Sequence, residues 1–193
     1  MNTKTKMSTK TLVLGAVLTA LVIVLQLLGS FIRFGQFSVS LVLIPIVIGA
    51  ATCGKGMGAW LGFVFGAAVL LSGDAASFLV VHIPGTILTV LAKGTLCGFF
   101  SGLVYQALSR YNRWLAVIVA AVVCPVVNTG VFLLGCLFFF METLGVWAAG
   151  VGLGENLLQY VLFFLVGGNF LFELGFNIVL SPVIVRLLNV KNN

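Results

Sequence analysis

Val39-Ser40-Leu41-Val42-Leu43-Ile44-Pro45-Ile46-Val47-Ile48-Gly49-Ala50-Ala51-Thr52, then Cys53-Gly54-Lys55-Gly56, then Met57-Gly58-Ala59-Trp60-Leu61-Gly62-Phe63-Val64-Phe65-Gly66-Ala67-Ala68-Val69-Leu70-Leu71: on this block the fold turns. As one helix it would be about 50 Å long at about 1.5 Å per residue, too long for a hydrocarbon core of about 30 Å. Its only interruption is a lysine set among glycines, which is turn material. The block therefore divides into two short helices, Val39 to Thr52 and Met57 to Leu71.

The rest of the chain has the same character. Apolar residues make up 61% of it and charged residues 7%, with a mean hydropathy of +1.25. A soluble domain carries about 25% charged residues, so too little polar surface exists here to cover a water-facing globule. At 193 residues the chain forms a single membrane domain. Further helices are expected over Thr11 to Gly29, Pro84 to Ser109, Trp114 to Phe140 and Asn156 to Leu188, making an all-α protein of six transmembrane helices. Ser30 to Ser38 and Ser72 to Ala76 read as polar connections, and Met141 to Glu155 as a Gly-rich outer loop with an interfacial Trp147. The apolar run after the N-terminal lysines is longer than a signal-peptide core and lacks an A-x-A-like site, so it reads as a retained helix.

Six crossings place both termini on one side. That side then holds Lys4, Lys6, Lys10, Lys55, Arg110, Arg113, Arg186 and Lys191, while the other holds Arg33 with Asp74, Glu142 and Glu155. Basic residues mark the cytoplasmic side of membrane proteins, so both termini are expected in the cytoplasm. The same distribution, short basic flanks of apolar segments, speaks against nucleic acid as the partner behind the net charge of +6. Cys53, Cys97, Cys124 and Cys136 are scattered in apolar contexts without C-x-x-C spacing, so they read as core residues with no metal site. Hydrolase and Walker motifs are absent. The chain is not read as an enzyme and no cofactor is expected; any energy for transport must come from another subunit or an ion gradient.

Two ionisable groups remain inside the membrane, Lys93 in the fourth helix and Glu173 in the sixth. A charge at mid-bilayer is unfavourable by about 2.5–3.5 kcal/mol on insertion scales, so it needs a partner or a wet cavity. Either the two form a structural ion pair, or Lys93 lines an outward pocket and meets an anionic ligand. Thr89, Asn128, Gln159 and Asn169 lie in the same outer halves, and one cation with several amides and hydroxyls suits a small polar molecule. His82 reads as an interfacial residue beside a loop rather than a ligand. In the first helix Gly15, Ala16, Thr19 and Ala20 form small-x-x-x-small pairs. Such a face admits another helix closely, either within the chain or from a partner protein.

In kind and order these segments resemble the S components, the substrate-binding membrane subunits of energy-coupling factor (ECF) vitamin transporters. The resemblance rests on Ala16/Ala20, on Ser38 to Ala50, on the Gly-rich turn Cys53 to Gly58, on Pro84-Gly85-Thr86 through Lys93-Gly94, and on Cys124-Pro125-Val126-Val127-Asn128-Thr129-Gly130. It implies a vitamin site facing outward, docking partly through Ala16 and Ala20, and association with a transmembrane coupling subunit and two ATPase subunits in a bacterial cytoplasmic membrane. Lys93 and Asn128 look most like the pantothenate- and folate-type branch, with pantothenate the best match; riboflavin- or pyridoxine-type ligands, and a scaffold protein that transports nothing, are the alternatives. Cysteines placed at Ser109 and at Gly73 are expected to react with an impermeant reagent from opposite sides of the membrane. Reaction of both from outside would overturn the six-crossing topology.

Overall fold

The computed structural model describes residues 8–30, 33–34, 37–38, 41–153 and 156–190. The side chains at 33–34, 37–38, 162, 164–165, 168–169, 185 and 187–190 lie outside that description, as do Lys4, Lys6, Gln36, Glu155 and Lys191. Among the described residues the regular structure is helical apart from one short pair of antiparallel strands. In order come α1 (Thr9–Gly29), β1 (Arg33–Phe34), β2 (Phe37–Ser38), α2 (Leu43–Cys53), α3 (Lys55–Ser72), α4 (Ala76–Leu79), α5 (Ile83–Leu108), α6 (Arg113–Phe139), α7 (Met141–Gly150), α8 (Leu157–Tyr160), a π-helical segment Val161–Gly167, and α9 (Gly168–Val190). Among the described residues four helices, α1, α3, α5 and α6, are long and apolar enough to cross a membrane.

Local chemistry accounts for the breaks. The connection between α2 and α3 is a single residue, Gly54, at φ +91°. That left-handed backbone is strained for any residue with a Cβ, so the expected turn is tighter than the four residues read as one. Lys55 and Met57 already belong to α3. Gly73, at φ +81°, ends α3 in the left-handed cap conformation. Pro84 occupies the first turn of α5, and His82 caps that helix by accepting from the Gly85 amide at 2.9 Å. Asn112 caps α6 through the amides of Trp114 and Leu115, at 2.9 and 3.2 Å.

Two expectations need correction. The Met141 to Glu155 stretch is not a loop throughout, because Met141–Gly150 forms α7. Leu144 and Ala148 lie one turn apart and are both buried, so that face packs while Gly145 leaves a gap on another. The sixth helix is not continuous either. It opens as the single turn α8, passes through the π-helical segment, and becomes α-helical again at Gly168. A π-helical segment takes one more residue per closed ring than an α-helix and re-aims the side chains beyond it.

The bundle is organised around α3 and α5. Gly58, Gly62 and Gly66 recur at every fourth residue of α3, and Gly94, Gly98 and Gly102 do so on α5. The two rows face each other in antiparallel register. A Cβ at Gly62 would overlap the carbonyl oxygen of Gly94, one at Gly98 that of Gly58, and one at Gly66 would lie 2.8 Å from that of Val90. At the end of the row, a Cβ at Gly102 would lie 2.6 Å from the Lys55 Cα. Backbone meets backbone because no side chain intervenes, the packing by which helices associate in lipid.

Around this pair, α2 is buried as a short central helix, with Leu43, Ile46 and Val47 fully covered. Leu18 and Val22 of α1, Val117 and Ala120 of α6 and Ile184 of α9 complete that core. Outward faces are as apolar as the interior: Leu71 is 87% exposed and Phe138 74%. Surfaces of this kind belong against lipid.

Gly62→Ala is expected to lower stability by about 1–3 kcal/mol, the usual effect of overpacking, and Gly98→Ala likewise. Gly145→Ala in α7 meets open space and should be neutral or better, by up to about 1 kcal/mol. Thermal unfolding in detergent compares them; equal Tm for Gly62→Ala and wild type would show that the glycine row does not hold the bundle.

Candidate functional site

The α3–α5 register decides where Lys93 goes. It precedes Gly94, one of the glycines in the contact row, and so stands beside α3 next to Phe65, which precedes Gly66. The Lys93 Nζ lies 5.7 Å from the Phe65 ring centroid and 5.4 Å from that of Phe132 on α6. A cation between two aromatic faces recovers part of its lost hydration, by about 2 kcal/mol for a desolvated contact. Of the carboxylates, Glu173 on α9 acts on the Lys93 charge most strongly, with Asp74 also within electrostatic reach.

Helix periodicity brings the neighbours in. Thr89 lies one turn before Lys93 on α5, and Asn128 one turn before Phe132 on α6. Across the α5–α6 contact, a Cβ at Gly135 would overlap the Thr89 side chain. Thr89 and Asn128 are each 5% exposed, and their side-chain oxygens, Oγ1 and Oδ1, have no hydrogen-bond partner among the described residues. A buried polar atom left unpaired is unfavourable by about 1–3 kcal/mol. Such groups mark a place where something else completes the pairing. Asn177, deeper along α9 than Glu173, carries a third unpaired buried oxygen, Oδ1. In the sequence it stands out as one of the polar residues of that helix, with Gln159 and Asn169, though it is not among the expected ligand-binding residues.

Of the residues expected to bind a ligand, then, Lys93 and Thr89 lie one turn apart on α5, and Asn128 lies one turn from the Phe132 that faces Lys93. Gln159 is exposed on α8, so the packed interior does not include it. Asn169 belongs to α9, and its side chain lies outside the described residues. Phe65 and Phe132 are the members that residue type alone did not reveal, since phenylalanine recurs 17 times in the chain.

Aromatic rings close one end of this interior. Phe78 on α4 is buried and makes edge contacts with Phe132, Phe140 and Trp147, at 5.6, 5.0 and 5.4 Å between centroids. Tyr160 of α8 joins the same cluster. His82 stacks on Phe139 at 5.4 Å and serves as a helix cap. The cluster assembles from α4, α6, α7 and α8, so the helix that replaces the expected 141–155 loop supplies part of the cover.

A second feature lies on the opposite flank. Ala16 and Ala20 are exposed, while Gly15 is buried against Met57. With Thr19, Ile23, Met57 and Trp60 they line an apolar groove of about 680 Å³ between α1 and α3. Trp60 forms one wall, 51% exposed, and its Nε1 donates to Thr19 Oγ1 at 3.3 Å. Of the two roles open to the small-residue face, packing within the chain is taken by Gly15 and Thr19, and Ala16 and Ala20 are left exposed.

With this geometry established, the comparisons with known proteins carry weight. The sequence matches the family of ECF transporter substrate-specific components over residues 10–185. No curated protein and no solved structure matches it. The match covers nearly all of the 193 residues, and the chain belongs to that family: a membrane protein of transport and substrate binding.

Proposed function

We propose that this ECF substrate-specific component binds a small anionic vitamin at Lys93, Thr89 and Asn128, and that the vitamin is pantothenate. The observation that carries this is the state of the cluster. A lysine cation lies over two phenyl rings, and on the same two helices are two buried oxygens with no hydrogen-bond partner among the described residues. A carboxylate would answer the cation, and hydroxyl or amide groups would answer the oxygens. Pantothenate carries all of these. The motifs around Lys93 and Asn128 favour the pantothenate- and folate-type branch over riboflavin- or pyridoxine-type members, and a binding cluster of this kind has no purpose in a mere scaffold.

The same reading has six crossings, α2 and α9 completing the four long helices, with both termini in the cytoplasm and the aromatic cover facing outward in a bacterial cell membrane. Ala16 and Ala20 then dock against a transmembrane coupling subunit that works with two ATPase subunits. Their exposure on an apolar groove supports that role.

A specific observation favours a second reading of Lys93, as one half of a structural pair with Glu173, the carboxylate that acts on it most strongly. Affinity separates the two. Lys93→Met keeps the length and removes the charge; lost charge-assisted hydrogen bonding of about 1.5–3 kcal/mol should weaken pantothenate binding about ten- to a hundredfold. Glu173→Gln should weaken it far less, with similar stability in both variants. Equal loss of stability in the two, with near-normal affinity in what stays folded, would establish the structural pair instead. For docking, Ala16→Leu with Ala20→Leu is expected to abolish uptake and capture of the coupling subunit while the isolated protein still binds pantothenate. Normal transport by that double variant would rule the groove out as the docking face.

A further inference from the structure

A threonine in an apolar helix can satisfy its hydroxyl on its own backbone, by donating to the carbonyl four residues earlier. Thr19, Thr52, Thr86 and Thr95 do so, to Gly15, Ile48, His82 and Leu91, at 2.7–2.9 Å. Two of these share α5 with Thr89. Thr89 has the Gly85 carbonyl at the same spacing, yet its Oγ1 is buried and has no partner among the described residues. Its hydroxyl is turned away from the bond that its own helix offers.

The cause lies across the α5–α6 contact. A Cβ at Gly135 would overlap both branches of Thr89, Oγ1 and Cγ2, and would lie 2.8 Å from its Cβ. Both branches therefore rest against bare backbone of α6. Branching at Cβ leaves threonine few χ1 positions on a helix, and the back-bonded position is one of them. A side chain at 135 would take the room that Thr89 now occupies. Nothing in the local conformation asks for glycine there, since Gly135 has no positive φ and alanine is the better residue in a helix interior. The contact also sets depth. Thr89 meets Gly135 in the first half of α5, and further along Ser101 donates to the Ala120 carbonyl at 3.1 Å. In this antiparallel register Lys93, one turn on from Thr89, faces Phe132.

We propose that Gly135 is a positioning residue for ligand binding: by presenting bare backbone to Thr89, it holds the Thr89 hydroxyl out of the back-bond to Gly85 and free for the ligand. The seating of Thr89 stands on the contacts above; its use rests on the binding role proposed for Thr89.

Two measurements on the full chain in nanodiscs separate these parts. The first needs no ligand: methyl NMR of threonine-labelled protein reports the Thr89 χ1 through three-bond couplings. Wild type should show the position that is not back-bonded. Gly135→Ala should move Thr89 to the back-bonded one, while Gly130→Ala, which meets open space on the same helix, leaves it unchanged. A back-bonded Thr89 in wild type, or an unchanged rotamer in Gly135→Ala, would overturn the seating; the wild-type result decides even where Gly135→Ala does not fold. The second measurement is pantothenate affinity. Gly135→Ala should weaken it about three- to tenfold, the range for one hydrogen bond between neutral groups. Thr89→Val should do the same, and the double variant should bind no more weakly than either single one, since both remove one bond. Thr89→Ser in the Gly135→Ala background lacks the clashing methyl and should regain most of the affinity. Additive losses, or a loss that Thr89→Ser does not relieve, would show that residue 135 acts on the bundle and not on Thr89, and would overturn the proposal. Rotamers as expected, with pantothenate affinity unchanged in Thr89→Val or absent in wild type, would refute the binding role and leave the seating intact.

Discussion

Everything positioned in this protein depends on two helix backbones in direct contact. The glycines of α3 and α5 let the helices approach until a Cβ on either would collide with a carbonyl of the other. In lipid no hydrophobic force drives helices together, so close packing over a long seam must provide the attraction. The seam also sets a register. Shifting α5 by one residue would drive side chains into the α3 backbone, so Lys93 and Phe65 are held beside one another by the glycines that follow them.

The polar interior is stable because its groups are placed on several helices at matching depth. Lys93 draws on Phe65 from α3, Phe132 from α6 and the charge of Glu173 from α9. None of these alone offsets the cost of burying an ammonium group, which insertion scales put at about 2.5–3.5 kcal/mol. Thr89 and Asn128, by contrast, are buried on the same two helices with side-chain oxygens that have no partner among the described residues. A protein selected for stability alone would have apolar residues there, since a buried polar atom without a partner is unfavourable by about 1–3 kcal/mol. Retained unpaired oxygens beside a cation fit a site prepared for an outside molecule, and strain of this order is what a binding site stores.

The two faces of α1 look to different surroundings. Outward, small residues leave a groove bounded by Trp60; inward, Leu18 and Val22 enter the core and Gln26 reaches the segment that carries Phe78. A helix facing two ways in this manner joins a surface to an interior with no intervening chain of contacts. The α7 helix has a comparable double part, since its Trp147 packs on Phe78 while Val146 stays exposed.

Composition and apolar periodicity were sufficient to establish a helical membrane protein, because the lack of charge leaves the bilayer as the only suitable solvent. Local signals likewise located the break at Cys53 to Gly56, the start of α5 at Pro84 and the turn before α6, since glycine φ, proline φ and side-chain caps act within a few residues. Lys93, Thr89 and Asn128 could be named from the sequence because polar residues are unfavourable in an apolar helix and so stand out. Other features were not legible there. Met141 to Glu155 is rich in glycine and reads as loop, yet burial of Leu144 and Ala148 against the aromatic cluster makes part of it helical. The glycines at every fourth residue are visible in the sequence, but only the fold shows that the two rows face each other. Which phenylalanines meet Lys93, and that Gln26 finds Asp74 across 48 residues of chain, were decided by tertiary packing, because a contact between helices depends on register and rotation that no single segment encodes.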